Sequence, residues 1–145
     1  MNRYIKTALY YTVFGLVAGV FYREFTKFNG VDGGTSLVLL HVHSLMLGMT
    51  FFLILSSLEA KLGMSKYKEF KLFNITYNLG LVITIGVFLA RGITQTLGID
   101  LNRALDMSMS GIGGIGHILL AVGIITMFVI LNKATKKWDK GKGEA

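Results

Sequence analysis

The sequence predicts an all-α integral membrane protein, a four-helix bundle whose transmembrane helices run up-down-up-down. Two features of its composition lead to this fold class. Hydrophobic residues make up 52% of the 145 residues and charged residues only 16%, below the roughly 25% typical of soluble domains. The apolar residues are also gathered into four stretches separated by short polar segments. A chain of this kind has too little charge to cover a soluble surface, whereas a bilayer suits it.

Each of the four apolar stretches is long enough to cross a bilayer as a helix. A hydrocarbon core of about 30 Å takes around 20 helical residues. No Asp, Glu or Arg falls within these stretches, and they are expected to be helical because unpaired backbone groups are too costly in lipid. The predicted spans are 4–22, 36–58, 72–90 and 109–131.

The connections between the spans decide how the helices are arranged. They cover 23–35, 59–71 and 91–108, the third being the longest. Connections of this length make consecutive helices antiparallel neighbours. The chain is therefore expected to form one transmembrane domain, 1–132, followed by a basic tail, 133–145.

Lysine and arginine are distributed unevenly between the two ends of the predicted bundle. The N-terminus, the second connection and the tail carry 11 of the 15 basic residues, and the other two connections carry 4. The positive-inside rule then places the N- and C-termini in the cytoplasm. The expected location is the plasma membrane, which the chain would cross several times. Basic residues placed in this way orient the chain rather than form a binding stripe, so no nucleic-acid partner is predicted.

All three histidines fall inside predicted spans, where ionisable side chains are expensive and are functional candidates. His41 and His43 lie in the second span and His117 in the fourth. These spans run in the same direction, and His41 and His117 both lie roughly 8–12 Å below the outer boundary, at about 1.5 Å per residue. Two imidazoles at one level on facing helices are what axial ligation of a haem iron needs.

Helical phase separates the two histidines of the second span. His43 is about 200° around the helix from His41, so an ordinary helix does not allow both to bind one metal ion. Either one is a ligand and the other an interface residue, or they serve two sites. Gly48 lies on the His41 face and leaves space there. Gly113 does the same on the His117 face, where a helix or a flat macrocycle could approach.

Two arginines mark the outer ends of the first and third spans. Arg23 and Arg91 lie near the level at which haem propionates would emerge. The guanidinium fork suits carboxylates because it binds both oxygens. The alternative is that these side chains extend to the membrane interface, as arginines at span ends commonly do.

Two further patterns concern helix packing. Tyr77, Thr84 and Arg91 recur every seven residues along the third span, which predicts a polar stripe facing the bundle interior and forming interhelical hydrogen bonds. In the first span, Gly15 and Gly19 form a GxxxG motif. That motif is consistent with close packing inside the bundle or with a homodimer interface.

Several motifs together connect this sequence with a family. They are the segments 21–28 (FYREFTKF), 41–43 (HVH), 90–95 (ARGITQ) and 110–117 (SGIGGIGH). Through them the chain resembles a family of small bacterial four-helix membrane proteins of unknown function. The likeness covers nearly the whole chain and implies the fold, but it implies no particular activity.

A second, local resemblance concerns residues 39–46, Leu-Leu-His-Val-His-Ser-Leu-Met. This segment is similar to the His-x-His helix of haem-copper oxidase subunit I and related haem membrane proteins. In that family neighbouring histidines on one helix serve two different haems, so the resemblance implies that His41 and His43 are iron ligands on opposite sides of the second span. The present chain has four spans rather than twelve and lacks the further histidines that bind copper there. A complete oxygen-reducing centre is therefore not expected.

The sequence thus predicts a small membrane protein that binds b-type haem and serves electron transfer, gas sensing or haem handling. His41 or His43, together with His117, would be the metal ligands. A redox protein or a second copy of the chain would be the partner, besides the lipid bilayer. No carboxylate lies within a span and no nucleophile–base spacing is present, so enzymatic activity is not predicted.

Two alternatives to haem remain open at this point. The first is copper binding or transport, since thioether and imidazole ligands suit Cu(I). The methionines near the outer half that would take part are Met46, Met49, Met107 and Met109. The second is a cofactor-free accessory subunit. The chain has no cysteine, which excludes disulfides, zinc–thiolate sites and iron–sulfur clusters.

Overall fold

Four long helices account for most of the chain. The computed structural model describes residues 3–143, and the side chains of residues 3–140. Within that part every regular element is helical, and the four long helices are long and apolar enough to cross a membrane. They are α1 (Arg3–Phe28), α2 (Val38–Leu62), α3 (Phe70–Thr96) and α4 (Arg103–Gly143). The prediction of an all-helical chain with four membrane-length helices is confirmed.

The helices continue beyond the apolar stretches from which they were predicted, and α4 does so most. It has 41 residues, so it takes up part of the predicted third connection and most of the predicted tail. The Leu105 backbone N–H donates to the Asn102 side chain over 2.9 Å, a cap that allows the helix to begin before its apolar part. Toward its C-terminus, α4 continues through the lysine-rich segment that follows the apolar span. Lysine is a good helix former, so a change from apolar to polar residues does not by itself end a helix. Residues 144 and 145 of the predicted tail lie outside the described residues.

Helices α1 and α2 form a tightly packed antiparallel hairpin. Tyr11 stacks on Phe52 with ring centroids 5.9 Å apart. One turn further along α1, Gly15 lies against Leu45, and Gly19 lies against His41. Residue numbers increase along α1 in the direction in which they decrease along α2, so the two helices are antiparallel. The GxxxG motif serves packing within the chain, because both of its glycines face α2.

Helices α3 and α4 form a second antiparallel hairpin, whose backbones come closer still. A methyl group built on Gly80 would lie 2.7 Å from the carbonyl oxygen of Gly116 and 2.7 Å from the backbone nitrogen of Leu120. A methyl group on Gly123 would lie 2.9 Å from the Tyr77 side chain. The close approach therefore depends on glycine on both helices.

Aromatic rings fill the space between the two hairpins. Phe51 of α2 stacks on Tyr77 of α3 with ring centroids 4.3 Å apart, and Phe73 is buried beside them. The predicted polar stripe of the third span does face the interior, since Tyr77 and Thr84 are both fully buried. The Tyr77 hydroxyl donates to the carbonyl oxygen of Leu47 over 2.8 Å.

A π-helical segment, Ser44–Thr50, interrupts the α-helical pattern of α2. At its end the Phe51 N–H donates to the carbonyl oxygens of Met46 and Gly48, whereas a regular α-helix would direct it to Leu47. Leu47 is the residue whose carbonyl accepts the Tyr77 hydroxyl. Short π-helical insertions are rare and frequently occur at functional sites.

The N-terminus of α1, the α2–α3 connection and the C-terminal part of α4 lie at the same end of the bundle. Tyr4 packs edge-on against Phe70 with ring centroids 6.1 Å apart, and Lys133 pairs with Glu69 at 2.5 Å. The hydrogen bond from the Lys133 ammonium lowers the pKa of the Glu69 carboxyl from its ordinary value. We call this end the basic end, because these segments carry most of the lysines.

Candidate functional site

Two histidines from different helices contact the same phenylalanine ring. His43 of α2 contacts Phe88 of α3 with ring centroids 4.8 Å apart. His117 of α4 lies on the same Phe88 ring at 6.2 Å. Three helices therefore contribute to one site, and both imidazoles approach it edge-on to the phenyl ring, at interplanar angles of 68° and 69°. We call this arrangement the histidine pair.

Both imidazoles of the histidine pair are anchored in the same way. The Nδ1 atom of His43 lies 2.9 Å from the carbonyl oxygen of Leu39, and that of His117 lies 2.8 Å from the carbonyl oxygen of Gly113. A carbonyl oxygen can only accept, so Nδ1 must carry the proton in each ring. In the neutral ring the lone pair is then on Nε2. Histidines that bind metals are usually held in this way, with the other ring nitrogen donating to a backbone carbonyl or a carboxylate.

The histidine pair takes one residue from α2 and one from α4, and both are at least partly accessible at the surface of the bundle. His43 is half-buried and His117 is exposed. Closer to the basic end, the same two helices enclose an apolar groove of about 140 Å³, which we call the inner groove. Its lining includes Phe51, Leu55 and Leu58 of α2 and Ile124, Met127 and Leu131 of α4. The site is therefore reached from the side of the bundle and not from a closed interior.

His41 occupies the other side of α2. Its side chain packs against Gly19 of α1, since a methyl group built on Gly19 would lie 3.7 Å from the His41 Cβ atom. The His41 ring also stacks on Tyr22, with ring centroids 6.5 Å apart. Its Nδ1 atom is buried and, among the described residues, has no hydrogen-bond partner. The prediction that His41 and His43 lie on different faces of the span is confirmed. Of the two, His43 is the one that lies beside Phe88 and His117.

The two glycines that the sequence singled out have different surroundings. Gly48 is buried against the Tyr11 ring, so the space it leaves is already taken by α1. Gly113 lies beside Val87, which a built methyl group would meet at 3.4 Å, and its carbonyl oxygen holds the His117 ring. Gly113 is therefore part of the histidine pair's surroundings, and Gly48 is part of the α1–α2 contact.

The two arginines also differ. Arg23 is largely exposed and lies 3.7 Å from the carboxylate of Glu24. Arg91 donates from Nη2 to the Asp106 carboxylate over 2.7 Å and to the Ser110 hydroxyl over 2.9 Å. Arg91 thus joins α3 to the start of α4, a contact that the sequence did not indicate because Asp106 was assigned to a connection.

Phe88 is the residue of this site that sequence reasoning missed. A phenylalanine within an apolar span carries no signal of its own. The one available indication is that Phe88 precedes Arg91 by three residues. Residues about one turn apart lie on similar faces of a helix, so Phe88 is expected to face the bundle interior with the polar stripe.

The methionines proposed for copper do not surround the histidines as a closed cluster. Met46 and Met107 are 60% and 62% exposed, and Met109 is half-buried. Within the described part of the chain, no group of three or more histidine and carboxylate side chains is placed to hold a metal ion. The arrangement offers two imidazoles at one place, which is fewer ligands than a metal ion bound by protein alone generally has.

The chain has four membrane-length helices, and two of them carry an imidazole that a backbone carbonyl holds in place. These features are compatible with a small multi-pass membrane protein. The chain belongs to the family described as "Protein of unknown function (DUF2871)", whose model matches residues 1–134. The family resemblance predicted from the sequence is thereby confirmed, whereas the comparisons give no support to the resemblance to haem-copper oxidase subunit I. Neither a search of curated proteins nor a search of solved structures found a match.

Proposed function

We propose that this chain is an integral membrane protein that binds one b-type haem, which the imidazoles of His43 and His117 would hold. The observation that carries the proposal is the histidine pair, in which both rings present Nε2 as the free nitrogen. Haem iron takes histidine nitrogen as its axial ligand in many proteins. The bound haem would supply one-electron redox chemistry.

The surroundings of the histidine pair suit a flat, apolar macrocycle. Phe88 provides an aromatic surface that both imidazoles contact. On α4, Gly111 and Gly114 are exposed, and a methyl group built on either would meet no atom within 4 Å. The backbone next to His117 is therefore bare on one side. Both imidazoles already have the tautomer that leaves Nε2 available for iron. Together with the open surface beside them, this supports haem rather than a metal ion in a closed site.

Within this proposal each residue has a distinct task. The Leu39 and Gly113 carbonyls orient the two rings, and the rings would hold the haem iron. Two nitrogen ligands would leave the iron without an open position, which favours electron transfer over gas sensing or haem handling. Arg91 lies three residues from Phe88 on α3, about 4.5 Å further toward the outer end. Arg91 is the candidate partner of the propionates and would then share its guanidinium with Asp106, whereas Arg23 belongs to α1, which packs against His41 rather than His43.

The membrane part of the proposal rests on charge and hydropathy. All four helices contain a long apolar window, and large side chains such as Val17, Ile118 and Phe128 are more than half exposed. In lipid such side chains are well solvated. The basic end would face the cytoplasm by the positive-inside rule, which puts both termini there and makes the helices an up-down-up-down bundle.

The haem proposal is tested by the absorption spectrum of the full chain, purified in mild detergent from cells supplied with haem precursor. We expect a Soret band and, after dithionite reduction, a sharp α band, with close to one haem per chain by pyridine haemochrome assay. His43→Ala and His117→Ala are each expected to remove most of the haem, because each deletes one iron ligand. His43→Met and His117→Met are expected to retain haem with a shifted reduction potential, since methionine raises the potential when it replaces histidine.

His41→Ala is the matched control, because His41 lies on the same helix but faces α1. It is expected to leave the spectrum and the haem content unchanged. Size-exclusion elution and circular dichroism would show that each variant is folded. Colourless wild-type protein from haem-supplied cells would overturn the proposal. Equal haem loss in His41→Ala and His43→Ala variants that remain folded would also overturn the assigned pair.

A further inference from the structure

A second candidate site lies at the basic end, where the α2–α3 connection meets the C-terminal half of α4. There the two segments enclose an open cleft of about 650 Å³, which we call the basic cleft. Three lysines line it, two from the end of α2 and the connection and one from α4. Its principal lining residues are Lys61, Lys66, Tyr67, Ala134, Lys137 and Trp138.

The positive charge of the basic cleft is not neutralised by the acidic residues nearby. Glu69 is paired with Lys133, which does not line the cleft. Glu59 accepts hydrogen bonds from the backbone N–H and the hydroxyl of Ser65. Among the described residues, none of the ion pairs involves Lys61, Lys66 or Lys137. Three ammonium groups that line one cleft without carboxylate partners favour an anionic ligand.

The remaining walls of the cleft indicate what kind of anion it suits. Tyr67 and Trp138 are amphipathic rings of the type that gathers at membrane–water interfaces. The Lys61 ammonium lies over the Trp138 ring, 5.7 Å from its centroid, which keeps Lys61 at the cleft. Leu62 and Ala134 add apolar surface. A ligand that fills this cleft would contact both the lysine ammonium groups and apolar side chains.

The inner groove continues the basic cleft along the same two helices. On α2 its last lining residue is Leu58, three positions before Lys61. On α4 its last lining residue is Leu131, three positions before Ala134. Three residues correspond to about 4.5 Å of helix, so the groove begins less than one turn from the cleft. A cationic cleft followed by an apolar groove matches a molecule with an anionic headgroup and an acyl chain.

We propose that the basic cleft and the inner groove together bind one anionic phospholipid. The phosphate of its headgroup lies among Lys61, Lys66 and Lys137, and an acyl chain lies in the groove between α2 and α4. This inference rests on the membrane insertion proposed above and is independent of haem binding. Basic pockets between membrane helices on the cytoplasmic side are known to recognise such headgroups.

The test measures lipid retained by the full chain after reconstitution into nanodiscs with equal parts of phosphatidylglycerol and phosphatidylcholine, followed by purification in mild detergent and native mass spectrometry. We expect wild-type protein to retain one phosphatidylglycerol. The Lys61→Gln/Lys66→Gln/Lys137→Gln variant is expected to retain roughly a hundredfold less at low salt, since each lysine near an anionic surface contributes about fivefold. Added salt should weaken retention in the wild type.

Lys68→Gln/Lys71→Gln/Lys136→Gln is the matched control, because it removes the same charge from the same end without changing a residue that lines the cleft. It is expected to retain phosphatidylglycerol like the wild type. Equal loss in both triple variants would overturn the proposal in favour of unspecific surface attraction. Ile54 also lines the inner groove, and Ile54→Trp, which would fill the groove, is expected to reduce retention while leaving the lysines in place.

Thermal stabilisation in detergent separates a lipid from a free phosphate. Phosphatidylglycerol is expected to raise the melting temperature of the wild type more than glycerol phosphate or inorganic phosphate at the same concentration. Equal stabilisation by the three would overturn the role of the acyl chain and leave a phosphate site. Haem content and lipid retention are separate measurements on separate sets of residues, so failure of one proposal leaves the other standing.

Discussion

At the scale of single residues, glycine decides how closely the helices of each hairpin approach. Gly80 of α3 lies against the backbone of α4, and a methyl group built on it would lie 2.7 Å from the Gly116 carbonyl oxygen and 2.7 Å from the Leu120 nitrogen. A backbone cannot move aside as the end of a side chain can. The registration of α3 against α4, and with it the position of Phe88 beside His117, therefore depends on this contact.

Gly80→Ala is expected to destabilise the protein by about 1–3 kcal/mol, the usual cost of overpacking a well-packed interior. Gly86→Ala on the same helix is the control, since a methyl group there would meet nothing within 4 Å. The control should be neutral or slightly stabilising, by up to about 1 kcal/mol, because alanine is the better helix former. Unfolding by denaturing detergent, followed by circular dichroism, measures both. Equal stabilities of the two variants would show that the helices can separate without cost.

At the scale of elements, the π-helical segment Ser44–Thr50 is the irregular part of an otherwise regular bundle. It begins at the residue after His43, and it redirects the Phe51 N–H away from Leu47. The Tyr77 hydroxyl donates to the Leu47 carbonyl from α3. One side chain of the second hairpin thus stabilises the irregular segment of the first.

Tyr77→Phe is expected to destabilise the fold by about 1 kcal/mol, the usual net value of one hydrogen bond. The amide protons of Ser44–Thr50 should exchange faster in this variant, because the segment loses its contact with α3. Tyr10→Phe is the control, as Tyr10 is 73% exposed, and it should change neither quantity. Unchanged exchange in Tyr77→Phe would mean that the segment is stabilised by α2 alone.

Periodicity and hydropathy were sufficient to predict the four helices and the separation of His41 from His43, since both depend on local geometry. They could not show which histidine meets His117. That choice is made by packing between helices, because Gly19 allows α1 to lie against His41 while Phe88 of α3 lies against His43. The equal depth of His41 and His117 follows from the predicted span limits alone, and α4 begins at Arg103, six residues before the predicted fourth span. Nor does the segment from Ser44 to Thr50 carry any sequence signal for π-helix.

At the scale of the whole molecule, the two ends of the bundle differ strongly in charge. The segments at the basic end carry 11 of the 15 lysine and arginine residues. At the opposite end, Arg91 is neutralised by Asp106. This difference is the physical basis of the proposed orientation, because translocating many lysines across a membrane is unfavourable.

Fusion reporters test the orientation. A fluorescent protein fused after Ala145 is expected to fluoresce, and alkaline phosphatase at that position is expected to be inactive, because this end stays in the cytoplasm. Alkaline phosphatase inserted between Gly33 and Gly34, in the α1–α2 connection, should be active. Phosphatase activity at the C-terminus together with none in the α1–α2 connection would reverse the proposed orientation.

Helix α4 has a further consequence because it is continuous. Its 41 residues amount to about 61 Å, roughly twice the hydrocarbon thickness of a bilayer. His117 and Trp138 lie on this one rod, so a rotation of the helix that turns the imidazole toward Phe88 also turns the indole at the far end. The proposed haem site and the proposed lipid site both lie between α2 and α4, so both depend on the distance between these two helices. Any occupant that wedges these two helices apart at one level alters the room available at the other.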